Sequence, residues 1–283
     1  MKILGIITSF YPKINELERN INSFLSEIDQ LIIWENTPRE ASEMDKLEKK
    51  LSNKKVEVKT TGNNEYLAKP FNDCFKWAKE QGYTHILTMD QDSCFENDHF
   101  HQYLKYISSC NDNSIAVFAP NAENFNQSQE IIELKGAITS GSVYALNVFD
   151  DSQMFNEDFL IYMVDVEYCI RARRKGYKII CFTGIHLIHK MGYAEKSKLG
   201  LIINNYSAQS TYYIIRNIIL TWKLYPDYMT KKDKRGFYKY KVIYRLAKII
   251  FEPNAILKCK AIFLALIHGH LSKGGRYDLA TRK

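Results

Sequence analysis

The sequence lacks the patterns that mark several broad classes of protein. Its six cysteines are scattered without a C-x-x-C pair, so we expect neither a disulfide framework nor a zinc cluster. The apolar start of the chain is too short for a signal peptide, and no small-residue cleavage site follows it. The longest apolar run near the C-terminus, 261–267, is far shorter than the ~20 residues that a spanning helix needs. We therefore expect a cytoplasmic protein.

The composition is that of an ordinary folded protein with an uneven distribution of charge. Hydrophobic residues make up 46% and charged residues 25% of the 283 residues, which argues against disorder and against a fibrous class. The net charge is +7, but the residues from Trp222 to the end carry +11 and the first 221 carry −4. The length suits one large α/β domain with a helical appendix, so we predict a catalytic domain over 1–203 and a basic helical region over 204–283.

The first half of the chain alternates short apolar strands with amphipathic helices. This order predicts a mostly parallel sheet with helices on both faces. The expected strands are 2–9, 31–34, 56–58 and 85–89, and the expected helices are 15–28, 40–51 and 67–81. Further strands are expected at 115–118, 130–134, 143–146 and 178–182, with a helix at 164–175.

Polar residues follow three of the predicted strands at the point where each strand ends. Ligands of such sheets bind at the carboxyl ends of the strands, so these residues are candidates for a binding site. They are Thr8, Ser9, Glu35, Asn36, Asp90 and Asp92.

The segment Asp90-Gln91-Asp92 directly follows an apolar strand. At strand-like rise its two carboxylates lie about 6–7 Å apart along the chain. Mg²⁺ and Mn²⁺ prefer oxygen ligands and bridge carboxylates to substrate phosphates, although aspartate pairs are also common in solvated turns. His189 and His186 are the candidates for completing a metal site, and their spacing alone does not choose between them.

A second acidic cluster, Asp165-Val166-Glu167, begins a predicted helix. Acidic residues favour the first turn of a helix because of its dipole, and that effect alone could explain the cluster. However, an apolar stretch, 159–164, precedes Asp165. A partly desolvated carboxylate there would be suited to act as a general base.

Taken together, these segments occur in the order found in a known family. The residues that carry the resemblance are Thr8-Ser9 after the first strand, Asn64 with Ala68 and Asn72, Asp90-Gln91-Asp92-Ser93, Thr139-Ser140-Gly141-Ser142, Asp165-Val166-Glu167-Tyr168-Cys169-x-Arg171, Gly176-Tyr177, His189-x-x-Gly192, and the segments 212–217 and 269–276. Over nearly its whole length the chain resembles family-two glycosyltransferases of the GT-A fold, and among them the bacterial rhamnosyltransferase-like members.

The resemblance implies a role for each matching residue on the donor side. Thr8, Glu35, Asn36 and Asn64 would bind the nucleotide-sugar donor. Asp90 would lie near the ribose and the metal. Asp92 and His189 would hold Mg²⁺ or Mn²⁺ against the diphosphate.

On the acceptor side, the resemblance implies that Asp165 is the general base and that Glu167 positions the acceptor. Two departures from the family pattern affect the donor pocket. The usual N-x-G after the third strand is here Asn64-Glu65-Tyr66, and the usual aspartate after the second strand is Glu35.

The implied function is an inverting, metal-dependent transfer of rhamnose from dTDP-rhamnose to a saccharide or lipid-linked acceptor of bacterial surface polysaccharide. A UDP-hexose or UDP-galactofuranose donor is the alternative within the class. A sugar-nucleotide pyrophosphorylase would need a Gly-rich basic loop after the first strand, where this chain has Ser9-Phe10-Tyr11-Pro12. A non-enzymatic binding module would fit if Asp92 or Asp165 were buried and satisfied.

The basic C-terminal region interleaves Lys and Arg with aromatic residues. This composition is typical of a peripheral contact with an anionic membrane, which would place the protein at the inner face of the cell membrane. A solvated helical face would have the same composition. Nucleic acid is the less favoured partner, and we expect none.

Overall fold

A computed structural model describes residues 1–51, 55–122, 129–150, 153–189, 195–196, 202–203 and 206–279. The chain divides into two compact units. The first comprises Met1–Asn156 and Val164–Lys190, and the second comprises Glu157–Met163 and Met191–Lys283. Asn204, where we predicted the helical region to begin, lies outside the described residues.

The first unit is built on one sheet flanked by helices. Its strands are β1 (Ile3–Ser9), β2 (Gln30–Glu35), β3 (Val56–Thr60), β4 (His85–Asp90), β5 (Ser93–Phe95), β6 (Ile115–Asn121), β7 (Ile131–Glu133), β8 (Val143–Ala145) and β9 (Lys178–His189). Its helices are α1 (Ile14–Asn22), α2 (Met44–Leu51), α3 (Ala68–Glu80), α4 (His99–Ser109) and α5 (Val164–Arg174). The strand order is β3-β2-β1-β4-β8-β6-β9-β5, and β7 pairs with β9.

The half of the sheet formed by β1 to β4 is parallel, as predicted. All seven residues of β1 are buried, which is typical of a parallel strand covered by helices on both faces. The expected apolar face of α1 is also buried, with Leu17 and Ile21 1% and 0% exposed. Burying each such side chain contributes about 1.5–3 kcal/mol, so this face holds α1 against the sheet.

The other half of the sheet is mixed. β8 lies antiparallel between β4 and β6, and β5 lies antiparallel to the end of β9. The sequence analysis did not predict β5 or α4, and it ended β9 at Phe182 instead of His189. The three residues of β5 are too few to show a period of two, so pairing with β9 defines the strand.

The predicted helix over 15–28 is wrong in its second half. α1 ends at Asn22, and a 3₁₀ turn, Leu25–Glu27, follows it. The Ser23 hydroxyl donates to the Asn20 carbonyl oxygen at 2.7 Å. Such a local hydrogen bond competes with the helical pattern and favours its end at this position.

The second unit is mostly helical. It contains α6 (Ala208–Leu224), α7 (Lys231–Phe237), a π-helical turn (Tyr238–Ile243), α8 (Tyr244–Ile249) and α9 (Ala255–His270). Two short strands, β10 (Glu195–Lys196) and β11 (Ile202–Ile203), pair antiparallel. α6 and α9 approach closely at Gly269, where a Cβ would lie 2.8 Å from the Cβ of Ile219. No helix within the described ranges combines the length and the apolar character needed to cross a bilayer.

A strained segment of the second unit is held by two buried side chains of α6. Leu160, Tyr162 and Met163 all have φ near +60°, a conformation that costs a non-glycine residue about 1–2 kcal/mol. The Asn217 amide lies 2.7–3.0 Å from the carbonyl oxygens of residues 159, 161 and 162. Arg216 donates to the Asp158 carbonyl oxygen at 2.7 Å. These contacts offset the strain.

We expect Asn217→Ala to lower the free energy of unfolding by about 2 kcal/mol or more, because it leaves buried carbonyl groups without their donor. Denaturant unfolding of the full chain measures this change. Asn147→Ala is the matched control, since the exposed Asn147 amide makes a single long contact of 3.4 Å. Equal, small losses for the two variants would contradict the role given to Asn217.

Candidate active site

The acidic turn between β4 and β5 is held in place by the residue between its two aspartates. The Gln91 side chain accepts from the main-chain N–H of Phe10 at 2.8 Å and donates to the Phe10 carbonyl oxygen at 3.2 Å. Asn20 donates to the Gln91 carbonyl oxygen at 2.9 Å. Sequence reasoning treated Gln91 as a spacer, but these contacts show that it ties the acidic turn to the end of β1.

The structure brings Asp90, Asp92 and His189 together. One ligand atom of each residue lies within 4.8 Å of the others. The pairing of β5 with β9 causes this arrangement, because it places Ser93 directly opposite His189. The Ser93 hydroxyl oxygen lies 2.7 Å from His189 Nδ1 and fixes the orientation of the imidazole.

His186, the competing candidate, lies elsewhere on β9. Its main-chain N–H donates to His99 Nδ1 at 3.0 Å, and the centroids of the two imidazole rings are 5.6 Å apart. The three-residue cluster therefore contains His189 and not His186. Gly192, which completes the His189-x-x-Gly192 pattern, lies outside the described residues.

The electrostatics of the cluster favour a bound cation. Burial and the nearby carboxylates of Asp92 and Asp165 raise the pKa of Asp90 to about 7. A cation would relieve this repulsion, since it supplies the opposite charge that crowded carboxylates require. Two carboxylates and an imidazole are suitable ligands for a divalent ion such as Mn²⁺, so the residues present fit the expected metal.

Asp165 lies in the first turn of α5 and is half-buried. One of its carboxylate oxygens accepts from the main-chain N–H of Val166 at 2.8 Å. Burial raises the pKa of Asp165, and its charge contributes to the raised pKa of Asp90. The Asp165 carboxylate therefore lies near enough to the acidic turn for its charge to act on Asp90. A raised pKa makes it a better proton acceptor.

Glu167 is 1% exposed and is engaged by another residue of its own helix. Its two carboxylate oxygens accept from Nε and Nη2 of Arg171, both at 3.0 Å. Arg171 also donates to the Met154 carbonyl oxygen at 2.6 Å. The ion pair thus fixes α5 to the loop before it, which sequence reasoning did not foresee.

Thr8 and Glu35 lie at the same edge of the sheet as the acidic turn. Thr8 is opposite Asp90 in the pairing of β1 with β4, and Ser9 is opposite Glu35 in the pairing of β1 with β2. Glu35 is 3% exposed, and its carboxylate accepts from the hydroxyl of Ser42. The Ser9 hydroxyl is buried and has no hydrogen-bond partner among the described residues.

The turn after β3 keeps a glycine-like conformation without a glycine. Tyr66 stands where the family pattern has glycine, and its φ is +60°. Asn36 accepts from the main-chain N–H of Glu65 at 2.8 Å and donates to the Tyr66 carbonyl oxygen at 2.9 Å. Asn64 accepts from the Tyr66 N–H at 2.8 Å. Both asparagines predicted at the donor site therefore hold this turn.

The loop Thr139-Ser140-Gly141-Ser142 supports the end of β4. The hydroxyl of Ser140 accepts from the main-chain N–H of Asp90 at 3.1 Å. Gly141 has φ +77°, and a Cβ there would lie 2.7 Å from Pro120. This close packing explains the glycine. In the sequence, only the match of this segment to the family pattern indicated that the loop belongs near the site.

Similarity to known proteins supports the same interpretation. The chain is 23% identical to the dTDP-rhamnosyl transferase RfbF of Shigella flexneri over an alignment of 303 residues, which covers 98% of each protein. The crystal structure of GalNAc-T7 with UDP, GalNAc and Mn²⁺ matches 89% of this chain with a TM-score of 0.60 and 11% identity. The chain spans 58% of that structure.

S. aureus TarS 1-349 in complex with UDP-GlcNAc matches the whole chain and 95% of its own length, with a TM-score of 0.53 and 13% identity. These structural likenesses confirm the predicted GT-A-like α/β fold with a helical C-terminal region. The sequence profile of Glycosyl transferase family 2 matches residues 5–177, more than half of the chain. The chain is therefore a glycosyltransferase and belongs to glycosyl transferase family 2.

Proposed function

We propose that this glycosyltransferase moves rhamnose from dTDP-rhamnose to a hydroxyl of a saccharide or lipid-linked acceptor, with inversion, in bacterial surface polysaccharide synthesis. The observation that carries the proposal is the cluster of Asp90, Asp92 and His189, with Asp165 near enough for its charge to act on Asp90. The full-length similarity to a dTDP-rhamnosyl transferase supports the donor.

A UDP-sugar donor is the second candidate, because the two similar crystal structures contain UDP or UDP-GlcNAc. A screen of the purified chain against dTDP-rhamnose, UDP-hexoses and UDP-galactofuranose, with and without Mn²⁺, separates the two. Transfer from dTDP-rhamnose alone is the expected result, and transfer only from a UDP-sugar would contradict the proposed donor.

On the donor side, Thr8 and Glu35 would contact the nucleotide, and Asn36 and Asn64 would shape its pocket by holding the turn at Tyr66. Asp90, Asp92 and His189 would hold Mg²⁺ or Mn²⁺. When bound, such an ion supplies Lewis-acid stabilisation of the negative charge on the diphosphate. Ser93 would orient His189, since metal-binding histidines usually hydrogen-bond through their other ring nitrogen.

On the acceptor side, Asp165 would take the proton of the acceptor hydroxyl. The acceptor oxygen then forms a bond to the anomeric carbon from the face opposite the nucleotide. The bond from that carbon to the diphosphate breaks, and dTDP leaves with the electron pair. Glu167, through its ion pair with Arg171, would keep α5 in the orientation that Asp165 needs to meet the acceptor.

We expect Asp92→Asn to lower the transfer rate and the slow hydrolysis of the donor by at least about 100-fold, because it removes a charge that holds the cation. The amide has the same shape and removes a charge that repels Asp90, so the melting temperature should not fall. Asp98→Asn, at an exposed position at the start of α4, is the matched control. Turnover that needs no divalent metal, or a fully active Asp92→Asn variant, would overturn the assignment.

We expect Asp165→Asn to lower the transfer rate by about 10²–10⁴-fold while donor affinity stays unchanged, because general-base catalysis is lost and the donor contacts remain. Glu167→Gln should lower the rate less and the melting temperature more, because it weakens the buried ion pair with Arg171. Donor binding by calorimetry, transfer rates and thermal melts of both variants provide the readouts.

Two results would reverse these assignments. An Asp165→Asn variant that binds the donor and transfers within about threefold of the wild-type rate would show that the base is another residue. A Glu167→Gln variant that melts normally but is inactive would make Glu167 the general base and Asp165 the positioning residue.

The second unit is also proposed to contact an anionic membrane at the inner face of the cell membrane. Five large apolar side chains along 243–263 are at least half exposed, and lysines lie among them. They are Ile243, Ile250, Phe251, Ile256 and Phe263. Apolar side chains beside basic ones match the boundary between acyl chains and anionic headgroups.

We expect the chain to co-sediment with vesicles that contain phosphatidylglycerol more than with pure phosphatidylcholine. Each basic residue near the surface contributes about 1 kcal/mol, and salt should weaken the binding. The double change Ile256→Asp and Phe263→Asp should reduce binding, whereas Ile131→Asp, at an exposed position on β7, should not. Equal sedimentation with both vesicle types at low salt would contradict the membrane contact.

A further inference from the structure

A cavity with a volume of about 420 Å³ lies within the second unit. Its volume falls in the range of small-molecule sites. One wall is formed by α6, through Thr211, Ile214 and Ile215. The opposite wall is formed by the π-helical turn and α8, which lie within 238–249. Turns of π-helix are rare and occur frequently at functional sites.

Three cationic side chains line this cavity. Lys241, Arg245 and Lys248 recur every three or four residues, a spacing that places them on one side of a helical segment. Within the described part of the chain, no carboxylate lies within ion-pair distance of Lys241. The described residues that line the cavity include no aspartate or glutamate. The cavity is therefore positively charged.

The guanidinium of Arg245 is held in place by a buried ion cluster. Both of its Nη atoms donate to the carboxylate of Glu252, which is 6% exposed as a residue. Lys258 donates to the same carboxylate at 2.8 Å. Two cations on one carboxylate leave a net positive charge and a fixed arginine. Such a fixed donor loses little conformational freedom when it binds an anion.

Thr211 adds a hydroxyl that has no hydrogen-bond partner among the described residues. The residue is 3% exposed, and its Oγ1 makes no hydrogen bond to any described group. Its main-chain N–H donates to the Ser207 carbonyl oxygen at 2.9 Å, but the hydroxyl does not share that acceptor. Buried polar atoms are nearly always hydrogen-bonded, so a rotation of this cavity-lining side chain that turned its hydroxyl toward a bound ligand would give the hydroxyl a partner.

The lining is also rich in aromatic side chains, and one of its residues is strained. Tyr162, Tyr206, Tyr240 and Tyr244 line the cavity together with two isoleucines. Tyr162 has φ +59°, and its carbonyl oxygen accepts from Asn217 at 3.0 Å. Strained residues that are held by their surroundings cluster at functional sites. Asn217, which the transfer mechanism does not use, thus holds Tyr162 at this cavity.

We propose that this cavity is a second ligand site that binds a phosphate ester with an apolar or ring-bearing substituent. Cationic and hydroxyl donors match the several acceptor oxygens and the charge of a phosphate group. The cavity is larger than a phosphate alone requires, and the tyrosines and isoleucines provide a surface for the attached group. The residues that line it are not those of the transfer site, and the proposal goes beyond the transfer reaction.

Calorimetry of the full chain in EDTA with hexyl phosphate, hexanol and inorganic phosphate tests the proposal. Hexyl phosphate should bind more tightly than inorganic phosphate, and hexanol should not bind. Binding should survive Asp92→Asn, which separates this site from the transfer site.

A competition with vesicles that contain phosphatidylglycerol shows whether the natural ligand is a lipid or a soluble compound. If they displace hexyl phosphate, the ligand is a lipid headgroup; if they bind without displacing it, the ligand is a soluble phosphate ester.

Two variants and a control localise the site. Lys241→Gln and Thr211→Val should each weaken hexyl phosphate binding by about tenfold or more, since each removes a hydrogen-bond donor to a charged group. Lys260→Gln, at an exposed position of α9, should have no effect. Thermal melts verify that each variant folds. Absence of hexyl phosphate binding to the wild type, or equal binding by all three variants, would overturn the proposal.

Discussion

The main constraint on the first unit is the burial of Asp90 near two other carboxylates, those of Asp92 and Asp165, at the end of β4. Burial, together with the nearby charges of Asp92 and Asp165, raises the pKa of Asp90 to about 7. A chain left free to move would separate these charges. Gln91 and Ser140 prevent this by anchoring the acidic turn to neighbouring main chain. The acidic turn is thus held in a position that a bound cation would stabilise, and the proposed transfer mechanism uses that position.

Much of the fold follows from local patterns in the sequence. The features that do not follow from them depend on the pairing of strands that are distant in the chain. Apolar periodicity predicted β1 to β4 and α3, and the rule for strand ends selected Thr8, Glu35 and Asp90. β5 was missed because three residues carry no period. The choice between His186 and His189 depends on the register of β5 against β9, which lie more than 80 residues apart in the chain. Neither propensity nor spacing encodes that register.

Some residues have a conformation or a contact that their own type and their neighbours in the sequence do not predict, and only the structure explains them. Tyr66 occupies a left-handed position that favours glycine, and asparagines on both sides hold it there. The resemblance implied that Glu167 positions the acceptor, and the structure shows its carboxylate engaged by Arg171. In the second unit, Tyr162 is strained and Asn217 offsets the cost. In each case a buried hydrogen bond from a distant or neighbouring side chain overrides the intrinsic preference of the residue.

The most direct test of the central claim is to detect His189 on bound Mn²⁺. Electron spin-echo envelope modulation reports a nitrogen that is directly coordinated to Mn²⁺. The account predicts a histidine nitrogen signal in the wild-type protein with dTDP, its loss in His189→Gln, and its persistence in His186→Gln. A signal that survives His189→Gln, or that disappears only in His186→Gln, would contradict the cation site formed by Asp90, Asp92 and His189.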